Sequence, residues 1–314
     1  MLKRVYRQRR RILFGAALLV LTLLISDIRR PEGLSIFAGL GPEMRVVLVV
    51  LLLGFFAAVA ALFIALAPGL RPMIEVTGLA SLMYTALMMV LPQALGPTMW
   101  QTGYATVALF MLYIVAYMTL YGATMDSLPV WFAAETKHGF RTSASPEAVW
   151  RALVPVPGDE AAHWTGTLET VVPLPDEPDS VELRYSLGNG LYELQTLTFL
   201  ERKRPSRCRY YFIAEASATN AQFSEGEYCI EIAPQPGGGC SVETELAHSA
   251  MHLRLALMMW FDDVAGDQAD SLRARLEGVP DWSVTGAFNA QIAKPRSAAA
   301  DRAAKPDRGA AQTV

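Results

Sequence analysis

The sequence is poor in cysteine and contains none of the short motifs that bind nucleotides or catalytic metals. Only three of its 314 residues are cysteines, Cys208, Cys229 and Cys240, and no pair has C-x-x-C spacing. This number and spacing exclude a disulfide-rich scaffold and a zinc site, and they predict the reduced thiols of a cytosolic domain. The chain also lacks a G-x-G-x-x-G turn after a strand, a Walker loop, an H-E-x-x-H helix and a nucleophile elbow. We therefore predict no cofactor and no metal.

Charged residues are absent from most of the first 125 residues, which consist largely of four long apolar runs. No Asp, Glu, Lys, Arg or His occurs in 46–70, 76–103 or 104–125. Each run is close to the ~20 residues that cross a bilayer as a helix. Because ion and proton pathways depend on ionisable groups inside the membrane, we predict an anchor rather than a pump or channel. The four predicted transmembrane helices are Ile12–Ile28, Arg45–Leu70, Val76–Leu95 and Tyr104–Met125.

The N-terminus is strongly basic ahead of the first apolar run, which predicts that this end is cytoplasmic. No small-x-small cleavage site follows the run, so we expect the first helix to stay attached. Four crossings return the chain to its starting side. The sequence thus predicts a multi-pass protein of the inner (plasma) membrane with cytoplasmic N- and C-termini. The basic residues are Lys3, Arg4, Arg7, Arg9, Arg10 and Arg11.

The region after the apolar runs is acidic and polar. From Ala134 to Gly278 the chain contains 12 Lys or Arg against 22 Asp or Glu. This excess of negative charge excludes the extended positive face that nucleic-acid binding requires. We expect a separate water-soluble domain of about 150 residues.

Alternation of apolar and polar residues predicts that this domain is rich in strands. A short strand, Thr136–Ser143, precedes a helix with Ser145 as its N-cap and Pro146 as its first residue. A long amphipathic helix from about His252 to Gly278 closes the domain. The predicted fold class is α+β, with a curved antiparallel sheet around the C-terminal helix. Six further strands are predicted: Thr165–Val172, Ser180–Leu187, Leu191–Glu201, Arg207–Ala216, Phe223–Ala233 and Cys240–Ser249.

The order of these elements resembles the START-like superfamily, also called SRPBCC, which includes polyketide cyclase-like proteins and lipid carriers. The resemblance rests on the segment ASPEAVWRAL at 144–153, the glycine hairpin Pro234–Cys240 and the ending Ser271–Glu277. It implies a helix-grip fold with a deep apolar cavity, which this family uses for lipids, sterols and polyketides. It implies no catalytic residue. The predicted organisation is a basic N-terminus (1–11), a four-helix membrane anchor (12–125), a linker (126–135), a START-like domain (136–278) and a disordered tail (279–314).

The inward-facing residues of the sheet and of the closing helix form the predicted ligand pocket, because such pockets are largely apolar with a few polar groups. The alternative is a filled core. The predicted polar groups are Thr196, Thr198, Thr244 and His248, and a lone histidine is more often structural than a base. The other pocket candidates are Leu183, Tyr185, Tyr210, Phe212, Tyr228, Ile230, Leu246, Leu257, Trp260, Phe261 and Val264.

One turn of the acidic domain is strongly basic, with Arg202, Lys203, Arg204 and Arg207 around Pro205. We predict that this turn contacts anionic lipid of the inner leaflet, where each basic residue contributes ~1 kcal/mol. The alternative is an ordinary solvated hairpin.

Together these patterns predict membrane-tethered binding, with presentation or transfer, of a lipid or other apolar small molecule. The expected partners are this molecule, the bilayer and a membrane protein, but no nucleic acid. A second hypothesis is a protein-interaction or scaffold module whose pocket is closed by bulky side chains such as Tyr210. A third is a cyclase or hydrolase that uses His248, although most Glu residues of the strands fall on the outward side.

Overall fold

The computed structural model describes residues 1–28, 34–95, 104–122, 126, 128–216 and 223–292, and these residues form two compact units. We call them the helical unit, Met1–Val130 with His252–Val264, and the sheet unit, Trp131–Met251 with the segment that starts at Ala265. Met125, at the end of the fourth predicted transmembrane helix, and residues 293–314 of the predicted tail lie outside the described residues.

The described residues form nine α-helices and seven strands. The helices are α1 (Leu2–Arg7), α2 (Arg9–Asp27), α3 (Pro42–Leu66), α4 (Met73–Leu95), α5 (Tyr104–Tyr121), α6 (Pro146–Leu153), α7 (Leu253–Asp262), α8 (Val264–Glu277) and α9 (284–292). The strands are β1 (Trp131–Thr142), β2 (Leu168–Leu174), β3 (Glu177–Gly188), β4 (Leu191–Lys203), β5 (Arg207–Ala216), β6 (Ser224–Pro234) and β7 (Cys240–His252). The helical unit contains α1 to α5 and α7.

Glycine lies at the contact between α2 and α4 of the helical unit. A Cβ atom on Gly15 would lie 2.5 Å from Ile74, and one on Gly78 would lie 2.9 Å from Leu18. A larger residue at either position would push the two helices apart, as at other close helix contacts built on small residues.

Among the described residues, two helices rather than the predicted four are long and apolar enough to cross a bilayer. They are Pro42–Leu66, with a mean hydropathy of 3.1, and Pro68–Val90, with a mean hydropathy of 1.6. The apolar helix Thr106–Tyr121 is shorter. The apolar stretch of α2 is shortened because this helix begins with three arginines and ends at Asp27. Only 11% of the apolar stretch of the first helix is buried, so its apolar side chains are exposed, unlike those of a soluble core helix.

The seven strands form one sheet in the order β1-β7-β6-β5-β4-β3-β2. Each consecutive pair from β2 to β7 is antiparallel. The predicted α+β class, with one strand, a helix and a six-stranded antiparallel run, is therefore confirmed. The first strand begins at Trp131 rather than Thr136, so it includes half of the predicted linker.

We call the face of the sheet that carries the core the inner face. Ser145 caps α6, because its side chain accepts a hydrogen bond from the Ala148 amide at 3.3 Å. The helix then buries Val149 and Leu153, and α8 buries Leu272, against the apolar side chains of the strands. Both helices thus cover the inner face.

The closing helix is broken, which corrects the prediction of one helix from His252 to Gly278. Strand β7 continues to His252, α7 ends at Asp262, and Asp263 has left-handed backbone angles (φ 45°, ψ 53°). Such angles are unfavourable for most L-residues and end a helix. As a result, α7 belongs to the helical unit and α8 to the sheet unit.

The beginning of the predicted disordered tail forms α9. The carboxylate of Asp267 on α8 accepts hydrogen bonds from the amides of Val284 and Thr285 at 3.0 and 2.7 Å. A carboxylate at this position satisfies the free amides of a helix N-terminus. Val284 and Ile292 are buried, which attaches α9 to the sheet unit.

Candidate functional site

The register of β4 decides which residues reach the inner face. Leu197 and Phe199 are buried in the core, and alternation along the strand places Glu193 and Gln195 on the same face. Thr196 faces the other way, opposite the exposed Glu182 of β3. The structure also places Thr198 on that outer face, hydrogen-bonded to Ser180 at 2.9 Å. The two threonines predicted as polar pocket groups are therefore not on the inner face.

A cleft separates the inner face from α8, and its enclosed volume is about 20 Å³. This is room for about one water molecule, whereas pockets for drug-sized ligands have ~300–1,000 Å³. Three predicted pocket residues line the cleft, namely Tyr228, Thr244 and Leu246. Across from them, α8 contributes Ala265, Gln268, Ala269 and Leu272. None of the lining residues is charged.

Aromatic side chains occupy much of the space that was predicted to be a cavity. The rings of Tyr210 and Tyr228 are 5.4 Å apart, and those of Phe199 and Tyr210 are 6.0 Å apart. Burial raises the pKa of Tyr228 to about 12, and it also raises the pKa values of Tyr185 and Tyr210. The three hydroxyl groups are thus protonated at neutral pH, when they are able to donate hydrogen bonds.

The remaining strand candidates belong to the packed core. Leu183 and Ile230 are fully buried, and Phe212 is 4% exposed. They support the inner face but do not line the cleft. Leu257, Trp260 and Phe261 lie on α7 in the helical unit, because the break at Asp263 separates them from α8. Val264, the first residue of α8, is also assigned to the helical unit.

His248 of β7 lies on the inner face with its ring edge-on to Phe212, at a centroid distance of 5.5 Å. Burial lowers its pKa to about 4, so the imidazole is neutral at pH 7. Its Nδ1 is buried and has no hydrogen-bond partner among the described residues. No ion pair joins His248 to a carboxylate within the described ranges, so the orienting group of an acid–base pair is not seen there.

Sequence reasoning missed Glu193, an acidic residue on the inner face. Glu193 lies opposite Tyr185 of β3, and burial raises the pKa of its carboxyl group. The ring of Tyr185 in turn lies 5.8 Å from that of His163, whose pKa burial lowers to about 3. The alternation of β4 could have revealed Glu193, but over residues 193–200 both faces of this strand carry two polar and two large apolar residues. The pairing of β4 with β3 and β5 decides which of its two faces points to the core.

The basic turn is paired within the sheet unit. Arg204 binds Glu147, Arg207 lies 3.3 Å from Glu201, and Lys203 lies 2.5 Å from the same carboxylate. The guanidinium of Arg202 stacks on the Phe199 ring at 4.5 Å. These acidic partners offset the positive charge on which lipid binding would depend.

A wider groove with a volume of about 260 Å³ lies on the opposite side of the sheet. Its acidic residues are Glu231, Glu243 and Glu245, and Lys137 pairs with Glu245 at 3.3 Å. No group of side chains suited to a metal ion occurs among the described residues. The groove therefore has the character of a solvated outer surface.

The helical unit contains a buried charge cluster, formed by Arg11, Arg71, Glu75, Tyr121 and Asp262. Arg11 donates two hydrogen bonds to one carboxylate oxygen of Asp262, at 3.0 and 2.5 Å. Arg71 donates two to the other oxygen, at 3.1 and 3.0 Å. Glu75 binds both Arg11 and the hydroxyl of Tyr121. Two positive and two negative groups thus neutralise one another and fix α7 against α2, α4 and α5.

Seven strands in this order, with a C-terminal helix packed on their inner face, define a helix-grip α+β domain. No protein-family model and no curated protein matches the chain. It is similar to a START superfamily protein from Mycobacterium smegmatis, with 15% identity and a TM-score of 0.34 over 46% of this chain and 94% of the other. It is also similar to the Mll3558 protein from Rhizobium loti, with 13% identity and a TM-score of 0.37 over 46% of this chain and 98% of the other. With TM-scores below 0.5, the assignment of the fold depends on the strand order and the packing of α8.

Proposed function

We propose that the sheet unit binds a small apolar molecule in the cleft between the inner face and α8. The observation that carries this proposal is the chemistry of the cleft, whose lining is uncharged and combines seven apolar residues with the polar groups of Thr136, Tyr228, Thr244 and Gln268. A few polar groups in an apolar lining are typical of sites that bind and orient small molecules. The unpartnered Nδ1 of buried His248 adds a polar atom on the same face.

Ligand entry requires the cleft to widen, because about 20 Å³ does not hold a lipid or sterol. The structure thus represents the closed state under this proposal. A ligand that binds only the open state shifts the population towards it by its differential affinity. Asp263, the residue before α8, has left-handed backbone angles that interrupt the helix. Because α8 is not continuous with α7, its movement is not restricted by a single stiff helix.

We also propose that the chain is attached to the inner membrane through α3 and α4, with its termini on the cytoplasmic side. The exposed apolar side chains of α3 favour contact with lipid, since soluble proteins rarely expose such a surface. A poorly soluble ligand partitions into the bilayer. A binding domain tethered there meets it at a higher effective concentration than a free domain would.

The test is to purify the full chain in a mild detergent without denaturation and to identify extracted small molecules by mass spectrometry. Gln268→Trp places a large ring in the cleft, and Arg273→Trp places the same ring on α8 outside it, where Arg273 pairs with Glu277. We expect a reproducible apolar compound from the wild type and from Arg273→Trp, and a loss of at least about tenfold with Gln268→Trp. Equal recovery from all three proteins contradicts binding in this cleft.

The second candidate function is a protein-interaction module, which is favoured by the small volume of the cleft and by the ring of Tyr228 in its lining. This function predicts that the purified chain retains a stoichiometric protein partner and no small molecule. The same preparation distinguishes the two functions when it is analysed for both. The enzyme hypothesis has less support, since burial lowers the pKa of His248 to about 4, which makes it a weak base, and His248 has no carboxylate partner within the described ranges.

A further inference from the structure

His248 combines burial with an unused hydrogen-bonding atom. The residue is 8% exposed, and its Nδ1 is buried without a hydrogen-bond partner in the part of the chain that the structure describes. The other buried histidine of the sheet unit, His163, differs in this respect, because its Nδ1 lies 2.9 Å from the hydroxyl of Thr165. A buried polar atom without a partner is unfavourable. A bound molecule that pairs with Nδ1 of His248 would remove this cost.

The pairing of β6 with β7 places His248 next to the cleft. Tyr228 lies opposite Leu246 in the register of the two strands, and both residues line the cleft. The next pair on the inner face is Gly226 with His248. A ligand that extends along β7 past Leu246 would therefore meet the imidazole.

The surrounding strands fix the position of the imidazole. Its ring lies edge-on to Phe212, at a centroid distance of 5.5 Å. Gly226 allows β7 to come close, since a Cβ atom on this glycine would lie 2.8 Å from the Cα of His248. The register also shifts between Glu225 and Gly226, beside His248. Such irregularities redirect side chains and are common next to functional sites. The ring is thus in place before a ligand binds.

The chemistry of the imidazole favours a hydroxyl group over a charged group as its partner. Burial lowers the pKa of His248 to about 4, so at pH 7 the ring supplies no positive charge to a carboxylate or phosphate. The lining of the neighbouring cleft is uncharged, so it provides no counter-charge for an ammonium group. A hydroxyl group both donates and accepts, and it therefore pairs with Nδ1 in either tautomer of the ring.

We propose that His248 recognises the polar end of the ligand through its Nδ1 and that this end is a hydroxyl group. This inference rests on the proposed binding function and narrows the ligand class to apolar alcohols. The apolar body lies between the inner face and α8, beside Tyr228 and Leu246. Phe212 and Gly226 act as positioning residues that hold the ring of His248.

The experiment compares three probes of similar length: octanol; nonane, in which a methyl group replaces the hydroxyl; and octanoate, which carries a negative charge. The full chain is inserted into nanodiscs of neutral phospholipid. Binding of each radiolabelled probe at pH 7 is measured by equilibrium dialysis against empty nanodiscs. For the wild type, we expect octanol to bind at least about tenfold more tightly than octanoate.

Two variants test the role of Nδ1. His248→Phe removes both ring nitrogens and keeps a ring beside Phe212, and we expect octanol binding to weaken about tenfold while nonane binding does not weaken. His248→Asn returns an amide near the position of Nδ1 and is expected to restore part of the octanol binding. His138→Phe, the control, makes the same exchange in the groove on the opposite side of the sheet and is expected to alter neither probe. If His248→Phe does not fold, His248→Leu replaces it with the same expected result.

The outcomes separate the two proposals. If no probe binds to the wild type above empty nanodiscs, the proposed binding function is wrong. If His248→Phe weakens octanol and nonane equally, or weakens neither, the hydroxyl group is not recognised by His248. Octanoate binding to the wild type as tight as octanol binding has the same meaning. Either of the last two results overturns the present inference and leaves binding in the cleft intact.

Discussion

The two units differ in the polar groups that they bury. In the helical unit, Arg11, Arg71, Glu75 and Asp262 form a network in which each charged group contacts one of opposite sign, and the Oε2 atom of Glu75 has no hydrogen-bond partner among the described residues. In the sheet unit, the buried imidazole of His248 lies on the inner face, and its Nδ1 has no partner among the described residues. Buried charges that are paired stabilise one arrangement of the chain, whereas unpaired groups are costly unless something else binds them. The charge cluster thus holds the helical unit together, whereas the imidazole of His248 is available to a bound molecule under the proposed function.

The largest effect is expected from breaking the buried charge cluster. Asp262→Asn removes the negative group that two arginines share, and leaves uncompensated positive charge in a buried site. Loss of one partner of a buried pair costs ~3–5 kcal/mol. We expect a clearly lower melting temperature of the full chain in nanodiscs. Asp159→Asn is the control, because its pair with Arg151 is exposed and contributes less than ~1 kcal/mol. Equal melting temperatures for the two variants would show that the cluster does not hold the helical unit together.

A second test uses acid to detect the buried neutral imidazole of His248 in the sheet unit. The pKa of His248 is about 4 in the folded protein and ~6.5 when unfolded, so the unfolded state binds the proton first. The stability due to neutral His248 is therefore complete above pH 6.5 and is lost as the pH falls from 6.5 towards 4. Between pH 7 and pH 5 the loss is about 2 kcal/mol. We expect the melting temperature of His248→Phe to fall less between pH 7 and pH 5 than that of the wild type. The same acid dependence in wild type and variant would contradict a buried neutral histidine.

The smallest effect concerns the attachment of α9. Asp267→Ala removes the carboxylate that accepts from the amides of Val284 and Thr285. Loss of such a helix cap costs ~1 kcal/mol. We expect faster hydrogen exchange of 284–292, with little change in the strands. Ser241→Ala, on β7 and remote from α9 in the sequence, serves as the control. Unchanged exchange in the Asp267→Ala protein would mean that α9 is held by its apolar contacts alone.

The strands and α6 could be predicted from the sequence because local patterns determine them. The predicted strand Arg207–Ala216 has the observed bounds, and Ser145 and Pro146 occupy their expected positions at the start of α6. Alternation towards a single apolar face is strong in β5, where Cys208, Tyr210 and Phe212 face inward. In such strands the sequence alone determines which side chains reach the core.

Three features could not be predicted, because they depend on residues far away in the sequence. The break at Asp263 depends on α1 and α2, because Arg7 of α1 and Arg9 of α2 bind its carboxylate. Which face of β4 points to the core depends on its pairing with β3 and β5, since both faces are equally apolar over residues 193–200. The N-terminus of α9 depends on Asp267, which lies 17 residues before Val284. The candidate site was affected most, because Thr196 and Thr198 were assigned to the inner face in place of Glu193.

The most direct test of the account is an experimental structure of the full chain purified without denaturation. Binding in the cleft predicts that α8 lies further from Thr244 and Leu246 than it does here, with continuous ligand density beside Tyr228. A cleft that remains at about 20 Å³, filled only by its own tyrosine rings, would contradict the account.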